Sequence, residues 1–511
     1  MRRLAAATCV LILLIAARLA ADSMSGAGLV DDAYIFLRYA DNAARGLGAV
    51  FNPGERVEGY SSPLWLGMLV AAAHLPWDLP AIARWLGILL GLLVPVALYG
   101  LGAPLMPEPG GRRLLAAGAL GLALDPASAF WSGSGMETSL MSLLLIVTVL
   151  LFLRATRGDG SMWAAGFGLA LSSLARPEAL ALAPPLWLGA PRGRRVGLIV
   201  PMALPLLHLI WRIAYYGSWL PNTWYAKAGV PLAPRLMAGA WYVGSFELAC
   251  APMLIGIAAA AVASARRQEA AEEMQWKAPF AAVVLWIGAV VLEGGDHFAL
   301  YRFLVPIVPL LVWLLAHFAA SIHGTRNGAG SWVAAAVILA LMLGQSVILL
   351  TGRGAAKAAQ EVSMASAWAE AGRWLGRSVP PDMQLASIMV GAIPYYSRLP
   401  TLDLLGLNDR EIARYGRIAP EAVIGHQKHH PDYVLERQPD IILYRSAGWA
   451  VSPPAPGGVP AGAEYDYALL SLLEDPRTSR LYTTASYRMP NGKYVGFMVL
   501  RTSRERLPPA E

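Results

Sequence analysis

Two adjacent acids, Asp31 and Asp32, head a polar and aromatic stretch, VDDAYIFLRYADNAARGLGAVFNPGERVEGYSSPLW (30–65), set between long apolar runs. Carboxylates are costly to place beside a bilayer, so a pair there marks a place where an acid has a task. The chemistry open to it is general-base catalysis, in which a carboxylate removes the proton of an attacking hydroxyl. Adjacent helical positions point about 100° apart, so at most one of the two faces a given reacting atom. On a helix beginning at Asp31, the residues Asp31, Ile35, Arg38 and Asn42 fall on one side, where Arg38 either holds a phosphate or pairs with the acid. The competing reading is that one aspartate caps the helix, because free amides and the helix dipole favour acids there.

Further polar blocks are SGSGMETS (132–139), ARPEA (175–179), YGSWLPNTWYAKAG (216–229) and LEGGDHFALYRF (292–303). Glu58 either caps the next helix or hydrogen-bonds a sugar. Glu137 reads as a helix cap, and Arg176 with Glu178 as a local ion pair. In the last block a glycine pair lets the backbone bend near a ligand, and Asp296, His297 and Arg302 enter the following span together. Two potential ligands do not make a metal site, so Asp296 and His297 point to sugar or phosphate binding. Lys227, Arg302 and Arg38 are candidate cations for a departing phosphate oxygen, set against the plainer reading of cations that snorkel to headgroups. Trp219, Trp224 and Tyr225 either stack on a sugar or sit at the bilayer interface. Three histidines in GHQKHHPD (425–432) read as an exposed loop, with weak metal binding as the alternative. Together, a carboxylate base, cations and aromatic faces suit transfer of a sugar through an oxocarbenium-like transition state.

These groups need a membrane to be placed in. The 511 residues are 56% hydrophobic and 15% charged, and the mean hydropathy of +0.48 lies outside the range of ordinary soluble domains. The net charge of +7 is spread over short clusters between apolar runs, not a basic stripe with stacking aromatics, so nucleic acid is excluded as a partner. Cys9 and Cys250 both fall in apolar segments, which predicts no structural disulfide. The first apolar run follows Arg2 and Arg3 and lacks a clear cleavage site, so it reads as an uncleaved first span starting in the cytoplasm. Pro63 to Trp77 is short and reads as interfacial; Leu79 to Leu101 is long enough to cross. Further runs near 114–131, 137–153, 161–175, 178–190, 196–215, 240–264, 278–292, 302–320 and 331–350 bring the expected spans to about eleven. Basic residues at 2–3, 112–113, 154–157, 192–195, 266–277 and 326 mark alternate loops as cytoplasmic. The polar blocks then face outward, and so does everything after residue 350.

The expected fold is therefore an all-α polytopic membrane module over 1–350, with its first outward loop at 22–62, followed by a soluble extracytoplasmic α/β domain over 351–511. In that tail LASIMVG, LPTLDLLGL and DIILYR read as strands, NDREIARYG as a helix, and TTASYRM with YVGFMVLRT as strands paired across Pro490, Asn491 and Gly492.

The blocks DDAYIFLRYADNAARGLGAVFNPGERVEGYSSPLW, SGMETSL, LARPEA, LPNTWYAKAG, GGDHFALYRFLVP, GAIPYYS, LPTLDLLGLND and GHQKHHPDYVLERQPDIIL, in this order, resemble the membrane glycosyltransferases of the GT-C superfamily, and within it the terminal β-(1→2) arabinofuranosyltransferase branch. The resemblance implies about ten to thirteen transmembrane helices, a polyprenyl-phosphate sugar as donor, and transfer with inversion to an envelope glycan, a lipid-linked glycan or a protein. Decaprenyl-phosphate arabinofuranose is the donor of that branch. The resemblance also implies that the base is the acid at the start of the first outward loop, Asp31 or Asp32. It makes Glu58, Asn222, Tyr225, Lys227, Asp296, His297 and Arg302 the site lining. The longer acidic cluster of metal-dependent oligosaccharyltransferases is missing from the first loop, so no divalent metal or other cofactor is expected. The localisation implied is the inner (plasma) membrane, with a periplasmic tail. The alternative is a transporter or flippase of lipid-linked sugars, which predicts polar or broken helices at mid-membrane and internal symmetry.

Overall fold

The computed structural model describes residues 2–107, 109–264, 273–323, 328–419, 424–453 and 467–509. Arg266, Arg267 and Arg326, used in the topology reading, lie outside the described residues, as do the side chains of Arg2 and Arg3. Two compact units are formed. One comprises Met1–Gly28, Ala83–Ile210 and Ala233–Ala359, the other Leu29–Ile82, Trp211–Leu232 and Gln360–Glu511.

Among the described residues, six helical segments are long and apolar enough to cross a bilayer: Leu79–Leu105, Thr138–Thr156, Arg192–Tyr216, Trp276–Glu293, Val305–Ile322 and Ala329–Thr351. Counting each of two bent pairs as one span, Gly110–Ala123 with Pro126–Ser132 and Leu232–Ala249 with Ala251–Ser264, makes eight. The chain is a multi-pass membrane protein. Helices dominate because lipid offers no partner to a free backbone amide. The bend of 55° in the first pair has a local cause. Asp125 accepts from the Ser128 amide at 2.8 Å, and Pro126 follows at the first helical position, so one helix ends and another is capped.

In the first unit the helix Arg2–Met24 packs as a member of the bundle. Arg18 is 1% exposed; its Nε lies 3.1 Å from Asp22 Oδ1, and its guanidinium donates to the Ser128 carbonyl at 2.5 Å. Asp22 also accepts the Ser132 hydroxyl at 2.7 Å. Trp131, Trp286 and Trp313 are fully buried, whereas Trp241, Val262 and Leu350 are exposed, as lipid-facing positions require.

The second unit is built on the loop helix Asp31–Ala44, most of whose residues are buried. The short helix Pro63–Ala72 is capped by Ser62 and carries Pro63 in its first turn; ten residues do not span a bilayer. Among its described residues the tail has seven strands: β1 (Leu385–Ser387), β2 (Thr401–Asp403), β3 (Arg417–Ile418), β4 (Lys428–His429), β5 (Ile441–Leu443), β6 (Tyr482–Arg488) and β7 (Tyr494–Leu500). Five of them form a mixed sheet in the order β2-β1-β5-β7-β6, with β1 parallel to β2 and β5 and β7 antiparallel to β5 and β6. The hairpin expected across Pro490–Gly492 is β6–β7, with Ala485 opposite Phe497. Pro394 lies within a short helix, Ala392–Ser397, that links β1 to β2. Two of the three clustered histidines have places in the local fold: His429 pairs with Arg417 in the β3–β4 ribbon, and His430 caps the helix Pro431–Arg437.

Asp403 anchors the turn after β2. Its carboxylate accepts from the amides of Leu405 (2.9 Å), Gly406 (3.2 Å) and Asn408 (2.7 Å) and from the Asn408 side chain (3.0 Å). Burial nevertheless pushes it up to about 6. Asp403→Ala leaves these donors unpaired and is expected to cost about 2–4 kcal/mol, read as a lowered midpoint of thermal unfolding in detergent.

Candidate functional site

The two acids lie in the first turn of the loop helix, and neither caps it: the N-cap is Val30, with no side-chain cap bond. Asp31 instead reaches the tail. Its Oδ1 accepts from the Ala392 amide at 2.8 Å and its Oδ2 from the Gly391 amide at 3.1 Å. Burial pushes Asp31 up to about 7, the Ala392 amide pulling it down and the Asp32 charge raising it. Both acids are half-buried.

Arg38 does share a side with Asp31, but its guanidinium is committed to the chain. It donates to the carbonyls of Phe51 (2.7 Å), Leu399 (2.9 Å) and Pro394, and to Asn52 Oδ1 (3.1 Å). Asn42, one turn on, donates to Val50 and Phe51. Glu58 is buried and takes both Nε and a terminal nitrogen of Arg212, at 2.6 and 3.2 Å. Burial outweighs this pairing and raises Glu58. Asn222 donates outside its own helix: its side chain donates to the carbonyls of Gly406, Leu407 and Asp409, while its backbone amide donates to Glu58 O at 2.8 Å. Tyr225 lies under the Arg414 guanidinium at 4.7 Å and edge-on to Trp224. Lys227 ends the helix Asn222–Lys227 and is half-buried. Trp219 and Trp224 are 68% and 51% exposed, which suits an interfacial belt.

In the first unit the loop after Glu293 makes a second polar cluster. Gly294 and Gly295 both have positive φ, as the expected bend requires, and a Cβ on Gly295 would meet the Tyr242 ring. Arg302 donates through Nε to Asp296 Oδ2 at 2.7 Å, and Asp296 Oδ1 accepts the His297 amide at 2.9 Å. Leu300 and Tyr301 hold left-handed backbone, φ 53° and 54°, a strain of about 1–3 kcal/mol each. The loop is bolted in place by Trp131 Nε1 to Leu300 O (3.0 Å), Trp286 Nε1 to Phe303 O (2.7 Å) and Tyr301 OH to Ser245 O (3.0 Å). Arg176 lies 4.2 Å from the Phe303 ring centre. It pairs with Glu178, as its sequence suggests, and also with Glu137 at 2.8 Å; Glu137 stands at the N-cap position of its helix, as expected, but its side chain makes this ion pair and no cap bond.

Arg212, Gly391 and Ala392 escaped sequence reasoning. Arg212 sits in an apolar run, and no local spacing rule joins residue 31 to a backbone amide 360 positions later.

Residues 355–489 match a domain of unknown function, DUF8728. A stretch of 238 residues is 34% identical to terminal beta-(1->2)-arabinofuranosyltransferase of Mycobacterium tuberculosis, covering 43% of this chain and 38% of that protein. This bears out the resemblance drawn from the polar blocks. The chain spans well under half the length of that relative. Among solved structures, ArnT from Cupriavidus metallidurans in the apo state superposes with a TM-score of 0.60 at 15% identity, over 99% of this chain and 100% of ArnT. The chain has the ArnT fold. A second ArnT structure, bound to undecaprenyl phosphate, gives a TM-score of 0.53 at 14% identity over 77% of this chain and 85% of ArnT.

The Glu58–Arg212 pair gives a direct check on this geometry. Arg212→Met leaves a carboxylate buried without its cation and is expected to destabilise the protein by about 3–5 kcal/mol. The double variant Arg212→Met with Glu58→Met recovers most of that loss, both read by thermal unfolding in detergent.

Proposed function

We propose that the chain is a membrane glycosyltransferase that moves a sugar, arabinofuranose in the first instance, from a polyprenyl phosphate to an extracytoplasmic glycan. The observation that carries this reading is Asp31: an acid at the head of the first outward loop, oriented by two amides and held near neutrality. Support comes from the ArnT fold, seen elsewhere with undecaprenyl phosphate bound, and from the similarity to an arabinofuranosyltransferase.

In the step proposed, Asp31 takes the proton of an acceptor hydroxyl. The acceptor oxygen bonds to the anomeric carbon as its bond to the phosphate oxygen breaks, and the polyprenyl phosphate leaves with the electron pair. Attack opposite the leaving group inverts the anomeric centre. A carboxylate near neutrality suits this, since an effective base has a pKa close to the working pH. Each of its oxygens has a further lone pair beyond the one facing an amide, free for the hydroxyl. Asp32 is the alternative base. Lys227 and Arg302 are, each on its own unit, candidates for neutralising the phosphate. Arg38, Glu58 and Asn222, whose polar atoms are engaged within the chain, shape the unit; Tyr225, Asp296 and His297 are proposed as lining. No divalent metal has a part in this scheme.

The membrane topology proposed is eleven crossings. The helices Arg2–Met24 and Met162–Ala175 and the segment from Pro177 to Gly189 add three to the eight counted above. With the N-terminus in the cytoplasm, as the basic residues of alternate loops suggest, an odd number puts the 351–511 domain on the periplasmic side of the inner membrane, after the transmembrane transferase module over 1–350.

The test is a reconstituted assay with a panel of polyprenyl-phosphate sugars, following release of polyprenyl phosphate. Asp31→Asn is expected to lower transfer at least about a thousandfold and Asp32→Asn far less; the reverse order would make Asp32 the base, and full activity of both would remove the reading. The pH dependence follows from the sign of the shift. Asp31 in the folded protein keeps its proton up to about 7, so the transfer rate rises as pH rises through that value. The same shift makes the fold lose stability between about 4 and 7, because the unfolded chain gives up this proton first. Lys227→Ala and Arg302→Ala are expected to raise KM for the donor about tenfold with acceptor KM unchanged. Movement of lipid-linked sugar between leaflets without release of polyprenyl phosphate would favour a flippase instead.

A further inference from the structure

The matched tail domain has no assigned function, and it contains the two backbone groups that bind the carboxylate of Asp31. We propose that the Gly391–Ala392 turn is a positioning element of the reaction: its two N–H groups aim the Asp31 carboxylate at the acceptor hydroxyl, so that the tail completes the active site. This rests on Asp31 being the base.

Three observations on the second unit support it. The contacts are bidentate, one amide to each carboxylate oxygen, at 2.8 and 3.1 Å; this fixes the plane of the carboxylate as well as its position. The turn also comes so close that residue 391 has to lack a side chain. A Cβ there would stand 2.6 Å from the Asp31 carbonyl carbon and 2.7 Å from its Cγ, and would run into the carbonyl oxygen. Finally, the same stretch is held to the same helix from a second point. Arg38, two turns along, takes the carbonyls of Pro394 and Leu399, and the rings of Tyr395 and Tyr396 both lie 5.6 Å from the ring of Tyr34. Asp31 is thus held by its own side chain at one end of a contact that Tyr34 and Arg38 continue. The helix that carries the acid supplies neither bond.

An acid held this way keeps its aim without a cation. The titratable groups that act on it are Asp32 and Tyr34 on its own helix, and Tyr34 in turn meets Tyr396 on the turn helix and Arg373, whose guanidinium lies 4.0 Å from the centre of the Tyr396 ring. The two amides favour the ionised acid; taking one away weakens both the aim and the ionised state.

The test compares pH–rate profiles of Ala392→Pro, Gly391→Ala and Asp31→Asn in the full-length protein, reconstituted with the polyprenyl-phosphate arabinofuranose donor. Proline is accepted at the first position of a helix and deletes the 2.8 Å donor, its ring Cδ taking the place of the N–H that faces the acid. Ala392→Pro is expected to lower kcat at least about tenfold with donor KM within about twofold, and to move the acid limb up by about one pH unit. Gly391→Ala is expected to do the same; should it fail to fold, Ala392→Pro decides alone. A lowered kcat with an unmoved acid limb would show a purely structural turn and overturn the proposal, as would wild-type kinetics of Ala392→Pro beside an inactive Asp31→Asn. A fully active Asp31→Asn would instead overturn the base assignment itself.

Discussion

A guanidinium taken out of water has to find its acceptors inside the protein, and on the loop helix Arg38 does so by drawing in backbone from two distant parts of the chain. Burial lowers Arg38 only to about 10, so it stays charged, and leaving such a charge without partners would cost several kcal/mol. The carbonyls of Phe51, Pro394 and Leu399 and the amide oxygen of Asn52 meet that demand. Meeting it fixes the return of the first loop and the approach of the tail to one helix. Asn52 extends the arrangement, since its side chain bonds both the N–H and the C=O of Thr401, at 3.0 and 2.9 Å. Thr401 lies on β2, an edge of the five-stranded sheet. A side-chain amide thereby stands in for a neighbouring strand at one residue and blunts an edge that would otherwise be left open.

The same device recurs through the unit. Asn222 satisfies three carbonyls of the turn after β2, and Asp403 three amides and a side chain of that same turn. Tyr39 connects them to the loop helix: its hydroxyl donates to the Val57 carbonyl at 2.8 Å, accepts the Gly59 amide at 2.8 Å and lies 3.2 Å from Asn408 Oδ1. In this network the side chains of Asn222, Asp403 and Tyr39 are each met by partners, as burial demands. What reads along the chain as a list of polar residues suited to a sugar is, for Arg38, Glu58 and Asn222, a scaffold of backbone substitutes.

This divides what was legible in the sequence from what was not. Apolar runs of span length and the alternation of the tail were readable because they depend on local composition and period; β6 and β7 pair across Asn491 and Gly492 as their sequence signals. Helical spacing placed Asp31 and Arg38 on one side, and it was right about the side while leaving open what lay opposite. The partners are Gly391, Ala392, Pro394 and Leu399, remote in sequence, and all four contribute only backbone atoms, which carry no residue-type signal at all. Arg212 was hidden for another reason: a single arginine in an apolar run looks like an interfacial cation until its buried glutamate is known. Continuous helices were expected where the chain bends at Asp125–Pro126, although a capping acid before a proline is a break that its local sequence does announce.

The way the acid is held has a chemical logic of its own. An arginine or lysine bound directly to a carboxylate orients it well, yet it also favours the ionised form strongly and pulls the pKa down by about one to three units, which weakens the carboxylate as a proton acceptor. Amides orient with partial charges only. Around the loop helix both kinds of donor are present and they are kept apart: the full charge of Arg38 goes to carbonyls, and Asp31 is bound by the amides of Gly391 and Ala392 and set beside a second acid, with burial holding it at about 7. Sharing a side of the helix with a cation therefore need not cost Asp31 its basicity, provided the cation has neutral acceptors of its own. In this view the carbonyls that occupy Arg38 matter to the acid as much as the amides that touch it.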